Sequence, residues 1–390
     1  MRHHDCSSLL RHPPTLIDHG EALVEACTRW KCCEALALDT EFERSRTYYP
    51  RLGLIQACDG EAVYLIDPLA LPRLDPFLEV LRERHVLKIL HASSEDIEVF
   101  YHLGRTLPRP LFDTQIAAPF AGYGYAPGYQ RLVNRTLSVE VTKAETRSNW
   151  LQRPLRRSQL IYAAEDVIYL LPLYRTLQRR LAEMGRDQWV REEIEKSLDP
   201  RRFDVTGDSI SRRIPQAWEL GPRSLEVLQR LCVWREEQAR TRDLPRRFIL
   251  HDAVLLEIAR KHPTSSRVLK TIRGLPATVI AHYEDTLINV IRGALGVSKN
   301  ELPPPLPNPA ETREHTALLA KLKAVVLAKA AEISIPPQVL GHNRLLKLLL
   351  QCATAGTGQL PREFQGWRKD VIGDALLATL RQAGKDDPVT

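Results

Sequence analysis

Across residues 34–69 short apolar runs alternate with turn residues: ALALDTEF, then LGLIQAC, the turn Asp59-Gly60, and AVYLIDPL. Runs of this length between polar or glycine turns form strands, and three in succession predict an antiparallel meander. The next segments narrow the fold further. Residues 74–84 carry a helical pattern, VLKILHA (86–92) reads as a buried strand, and SSEDIEVFYHL (93–103) reads as a helix. Strands first and helix–strand alternation afterwards predict an α/β domain with a mixed sheet flanked by helices. Residues 121–157 are rich in Gly, Pro and charge, which predicts loops and short helices near an open face. One helix is predicted from 158 through 174, and beyond 198–202 (LDPRR) the pattern is all-helical.

The helical half contains a weak repeat at an offset of about 90 residues, read from the apolar spacing. Ile249-Leu250 answers Val339-Leu340, Leu255-Leu256 answers Leu345-Leu346, and Ile258 answers Leu348; Val279-Ile280 answers Val371-Ile372 two residues later. The proline-rich LPPPLPNP (302–309) between the copies is a stiff spacer. A chain of 390 residues exceeds one ordinary core. The expected domains are 1–205, 213–297 and 306–386, and removal of everything after about residue 210 is expected to leave a folded N-terminal enzyme.

Lys and Arg number 55 against 48 Asp and Glu, a net +7 with a pI near 9.0, which suits phosphate contact without establishing it. The seven cysteines show no C-x-x-C pair or zinc-like spacing and read as reduced thiols. No apolar leader or membrane-length apolar run is present, so a cytoplasmic protein with no membrane partner is expected. His3 and His4 read as a frayed terminus.

Strand alternation puts Asp39 and Glu41 on one face of ALALDTEF, roughly 6.6 Å apart at Cα. Like charges at about 4 Å repel by ~4 kcal/mol at an effective dielectric near 20, and divalent cations turn that repulsion into binding. Taken alone the pair reads first as two acids at a strand end that reach solvent or a Lys or Arg. Asp96 alone fits a helix N-terminus, in the Ser-x-x-acid spacing of Ser93-Ser94-Glu95-Asp96. Tyr162 and Asp166 are four apart and share a helical face. The set, in this order, carries the weight.

That set resembles the ribonuclease D family of the DEDDy exonuclease superfamily, with its ribonuclease H-like core. LDTEFERSRTYYPRLGLIQ is similar to its first motif, LHASSEDIEVF to its second and YAAEDVIYLLPLY to its third. FDTQIA (112–117) and KAETRSNWLQRPL (143–155) resemble segments between the last two, in which Asp113 and Gln115 read as scaffold. The two helical repeats resemble HRDC (helicase and RNase D C-terminal) domains. The resemblance implies a 3′→5′ exoribonuclease in which Asp39, Glu41, Asp96 and Asp166 hold two divalent ions, Mg²⁺ or Mn²⁺, and Tyr162 positions the attacking water. It further implies nucleoside 5′-monophosphate products and a monomer without a tightly bound organic cofactor. Its RNA partner has a free single-stranded 3′ end, with tRNA precursors as the expected substrate. Thr40, Phe42 and His91 are candidate substrate contacts; Phe42, Tyr48 and Tyr49 stack on bases or pack in a core. Glu165 departs from the family, which usually has a small residue there. Arg235, Arg240, Arg242, Arg246 and Arg247 read as a phosphate-attracting surface or a solvated helix face. A DNA exonuclease and a non-catalytic nucleic-acid-binding protein remain the alternatives, since the five residues do not distinguish ribose from deoxyribose.

Overall fold

The computed structural model describes residues 12–141, 145, 148–203, 207–306, 313–354 and 359–386. His3, His4 and Cys6 lie outside these, as do Lys143, Ala144, Thr146 and Arg147 of the KAETRSNWLQRPL segment and Pro307, Asn308 and Pro309 of the spacer. The chain forms two compact units: Met1–Glu43 with Leu52–Asp199 and Thr312–Thr390, and Arg44–Arg51 with Pro200–Glu311.

The first unit is built on β1 (Thr15–Ile17), β2 (Ala35–Glu43), β3 (Arg51–Cys58), β4 (Val63–Ile66), β5 (Leu87–Leu90) and β6 (Leu111–Asp113), in sheet order β1-β4-β3-β2-β5-β6. The three expected strands are neighbours, with Ile55 opposite Ile66 in the antiparallel β3–β4 pair. Their turn is made by Gly60 at φ +93 and by Asp59, whose carboxylate accepts from the Glu61 and Ala62 N–H groups at 2.9 Å. Strands β1–β4, β2–β5 and β5–β6 are parallel, so the sheet is mixed. β1 left no legible pattern, because it spans three residues of which two are exposed. Helices α1 (Gly20–Trp30), α2 (Asp75–Arg82), α3 (Ser94–Gly104), α4 (Thr114–Ala117), α5 (Tyr129–Leu137), α6 (Arg157–Ile168), α7 (Leu170–Glu183) and α8 (Asp187–Ser197) complete this part. The single helix expected over 158–174 is instead α6 and α7, broken at Tyr169. Pro172 is the cause: it has no N–H, and its ring would clash with the carbonyl four residues earlier.

The second unit contains α9 (Gly207–Ser211), α10 (Pro222–Thr241), α11 (Arg246–Ile249), α12 (Asp252–Lys261), α13 (Ser266–Leu269) and α14 (Ala277–Leu295). Tyr48 is buried in its apolar core, so of the two roles left open for it the packing one holds. Its hydroxyl donates to Glu236 and accepts from Arg240 and Arg246 at 3.2 Å, while Asp243 accepts from the Tyr48 and Tyr49 N–H groups at 3.0 Å. Arg240 and Arg246 are thus engaged with Glu236, and Arg242 donates to the Tyr283 hydroxyl at 3.1 Å. The arginine run is therefore not one uniform solvated face.

The last stretch contains α15 (Arg313–Glu332), α16 (Pro337–Gly341), α17 (Asn343–Thr354) and α18 (Asp374–Asp386). The repeat is visible in the order of lengths: α10 and α15 have 20 residues each, followed by short α11 and α16 and then α12 and α17. Val339, Leu340, Leu345 and Leu346 are buried like Ile249, Leu250, Leu255 and Leu256; Leu348 is only half-buried, and Leu349 is buried beside it. This stretch belongs to the first unit. Trp367 stacks on Trp189 with ring centroids 5.2 Å apart and meets Phe120 edge-on, and Arg368 donates to both carboxylate oxygens of Glu193 at 2.6 and 2.7 Å.

Candidate active site

β2 enters the first unit through Leu36, Ala37 and Leu38, all buried, and delivers two acids near its end. Asp39, Glu41 and Asp166 each present a carboxylate oxygen within 4.8 Å of the others. Asp166 comes from α6, where Tyr162, one turn earlier, donates its hydroxyl to it. Thr40, between the two strand acids, is buried and donates its hydroxyl to Asp96 at 2.5 Å.

Asp96 does not act as the helix cap that its Ser-x-x-acid spacing fits. It is buried, and Ser93 makes no capping bond with its side chain. Ser93 instead donates its N–H and its hydroxyl to Asp113 at 2.8 and 2.7 Å. Asp113 also accepts from the N–H of Ala92 at 3.2 Å and caps α4 through Gln115 and Ile116 at 2.8 and 3.1 Å. One buried carboxylate thereby fixes the turn that starts α3 and so the place of Asp96.

Tyr162 is seated against Trp150, ring centroids 6.1 Å apart. Trp150 is held by its neighbour Arg153, which donates to both oxygens of Asp67 at 2.5 and 2.7 Å and to the Gly53 carbonyl at 2.6 Å. A Cβ at Gly53 would stand 2.7 Å from the Trp150 carbonyl oxygen, so β3 needs glycine there. On another side, Tyr129 donates its hydroxyl to the Glu165 carbonyl at 2.8 Å, near the break between α6 and α7. Tyr129 gave no sequence signal, because a lone Tyr in a Gly-rich loop has no distinctive spacing.

Burial and mutual repulsion dominate the electrostatics. Burial, then Asp96, Asp166 and Glu41, raises the Asp39 carboxyl well above its ordinary range. Burial, then Asp166 and Asp96, pushes Glu41 up to about 8. Asp96 is raised to about 7, chiefly by burial, against the lowering effect of the Thr40 hydroxyl. Asp166 is raised to about 7 by burial and by neighbouring Glu165, against the hydrogen bond from Tyr162. Glu165 itself lies outside the three-carboxylate group. Burial and the acids raise the Tyr162 phenol, so it keeps its proton. Buried carboxylates that repel one another and offer only oxygen donors fit hard divalent cations, whose charge relieves the repulsion.

The three candidate substrate contacts are placed differently. Thr40 spends its hydroxyl on Asp96, and Phe42 is half-buried on β2. His91, at the end of β5, pairs its Nδ1 with the Thr114 hydroxyl at 2.8 Å and meets the Tyr129 ring edge-on at 5.6 Å. Burial lowers the His91 imidazole, which favours its neutral form.

Residues 14–182 match a 3′-5′ exonuclease family model, and residues 224–291 match the HRDC domain. The chain is 39% identical to ribonuclease D of Pseudomonas paraeruginosa, over 93% of this chain and 96% of that one. It is 35% identical to ribonuclease D of Escherichia coli, over 94% and 98%. The crystal structure of Escherichia coli RNase D, described as an exoribonuclease involved in structured RNA processing, aligns with a TM-score of 0.87 at 34% identity, covering 95% of this chain and 99% of that one.

Proposed function

The chain belongs to the ribonuclease D family and is a 3′→5′ exoribonuclease that depends on divalent metal ions, and from that premise we propose that Asp39, Glu41, Asp96 and Asp166 hold those ions while Tyr162 positions the attacking water. The observation that carries this reading is the convergence of Asp39, Glu41 and Asp166, with oxygens within 4.8 Å of one another. When bound, two divalent ions supply the charge that activates water and offsets the negative charge growing on the phosphate and the leaving 3′-oxygen. The protein's own part is to hold the acids still. Thr40 fixes one oxygen of Asp96, and Tyr162 fixes Asp166. Because its phenol keeps its proton and gives it to Asp166, Tyr162 would orient the water through its phenol oxygen as an acceptor and not serve as the base.

The ions are Mg²⁺ or Mn²⁺, as suits an all-oxygen set. The substrate is RNA with an unpaired 3′ end and a free 3′-hydroxyl, with tRNA precursors as the natural case, and the protein acts as a cytoplasmic monomer. Phe42 offers a ring for the terminal base, and His91, whose Nδ1 pairs with Thr114 and whose Nε2 is buried, supports the site by packing. Among the described residues no helix is long and apolar enough to cross a membrane. We assign 1–205 to the exonuclease domain, 213–297 to an HRDC domain and 306–386 to a second HRDC-like repeat.

The test is incubation with 3′-labelled single-stranded RNA and its DNA equivalent, in Mg²⁺, Mn²⁺ or EDTA. Stepwise release of nucleoside 5′-monophosphates from RNA is expected with either ion, with none in EDTA and none from Asp39→Ala. Cleavage of a circular RNA, or release of internal oligonucleotides, would refute the reading.

A further inference from the structure

Asp166 stands in the last turn of α6, and that turn ends at a fault in the helical ladder. In a continuous helix the Glu165 carbonyl would accept from the Tyr169 N–H four residues later. Here that N–H is turned to the Val167 carbonyl. A carbonyl without a partner at a helix end leaves its turn free to fray, and the turn in question holds a site acid. A side chain takes over the missing bond. The Tyr129 hydroxyl donates to the Glu165 carbonyl at 2.8 Å, and its oxygen accepts from the Tyr169 N–H. One phenol thereby spans the step that the backbone does not make. Burial, then Asp166, raises this phenol well above its ordinary range, so it has a proton to give.

Tyr129 is itself fixed from the opposite side. It opens α5, and its ring meets His91 edge-on. His91 is paired with the Thr114 hydroxyl, which donates to the Leu90 carbonyl at 3.1 Å. Gln115 donates its side-chain N–H to the carbonyl of Pro127, two residues before Tyr129, at 3.2 Å. The ends of β5 and β6 are therefore connected to α6 through this one tyrosine.

We propose that Tyr129 is a positioning residue for hydrolysis: its hydroxyl closes the last turn of α6 and so holds the Asp166 carboxylate in place, without touching RNA or metal. The inference rests on the reading of Asp166 as a metal-holding acid, and it concerns turnover and metal affinity, not RNA affinity.

The test is Tyr129→Phe in the full chain, which removes one oxygen and keeps the ring against His91, so the fold is retained. Three measurements are made: steady-state kinetics on a short unpaired RNA in Mn²⁺, Mn²⁺ binding without RNA by electron paramagnetic resonance, and amide hydrogen exchange. With Asp166 displaced by a fraction of an ångström, kcat should fall about tenfold while KM stays within about twofold of the parent. Mn²⁺ binding should weaken severalfold, and the Tyr169 amide should exchange faster. Parental kcat and parental Mn²⁺ binding, whatever the loss of thermal midpoint, would confine Tyr129 to stability and overturn the proposal. So would a raised KM with parental kcat, since the ring would then contact RNA, and so would a lowered kcat with parental Mn²⁺ binding, since Asp166 would not be what moved. Asp166→Asn, measured alongside, separates this proposal from its premise. Retained turnover in Asp166→Asn would refute the metal-site reading itself, whereas lost turnover there with parental behaviour in Tyr129→Phe would refute only the positioning role.

Discussion

Glu41 shows what one residue gives up for this site. Its carboxyl ionises at about 8 in the folded chain, against an ordinary 4.5, because burial and the facing acids oppose its charge. A carboxyl whose folded value is raised holds its proton in the folded state where the unfolded chain has lost it, so its effect on stability worsens as pH rises through 4.5 to 8. Above pH 8 the cost is complete, and below 4.5 it is absent. In EDTA, Glu41→Gln should therefore raise the thermal midpoint by about 2–6 °C at pH ~8.5, on the order of 1–2 kcal/mol, with no gain at pH ~4. Scanning calorimetry at the two pH values checks this. A gain of equal size at both would show that charge repulsion is not the cause. The strand spacing of Asp39 and Glu41 was legible because it is local, two residues along one strand. The bond that Thr40 makes to Asp96 was not, since its partners are 56 residues apart and nothing local marks them.

At the scale of elements, the site depends on where helices begin and end. α3 starts where Asp113 gathers the N–H groups of Ala92 and Ser93 and the hydroxyl of Ser93, and it caps α4 with the same carboxylate. Apolar spacing marked the strand and helix around Asp96 but could not tell which side chain capped which. Ser93 fits a cap for its own helix, yet its hydroxyl points to a residue 20 positions away. Asp113→Asn keeps the size but replaces one accepting oxygen with an NH₂ group. With a buried N–H then facing a donor, stability should fall by about 1–3 kcal/mol. Displacement of Asp96 should lower kcat severalfold with KM for RNA nearly constant. Steady-state kinetics on a short unpaired RNA checks this, and unchanged kcat in a destabilised variant would confine Asp113 to a purely structural part. The break between α6 and α7 is of another kind: Pro172 is a local cue, and the single helix expected over 158–174 followed the apolar spacing past it.

At the scale of the molecule, the repeated apolar spacing led to an expectation of two helical copies, but it did not indicate which copy stands with the exonuclease. Tyr48, in the motif that carries Asp39, is core to the first copy's unit, and the second copy clusters with the sheet. Both facts rest on pairs far apart in the chain, such as Glu193 and Arg368, that read locally as ordinary helix-surface residues. The consequence reverses the expectation that everything after about residue 210 is dispensable for folding. Trp367 is buried against Phe120 and Trp189, its indole N–H donates to Glu193 at 2.9 Å, and its backbone N–H donates to Glu192 at 2.8 Å. Loss of α15 to α18 would bare two aromatic rings and leave Glu193 without the guanidinium that, against burial, holds its carboxyl below the usual range. Trp367→Ala alone should cost about 3–5 kcal/mol through the cavity it opens. Removing Arg368 strands a largely buried charge and should cost about as much, roughly 3–5 kcal/mol. Truncation after residue 305 is therefore expected to yield a first unit that melts far below the full chain and aggregates, as measured by thermal unfolding and light scattering. A truncated chain with the parental midpoint would show that the sheet with α1 to α8 is stable without the second repeat.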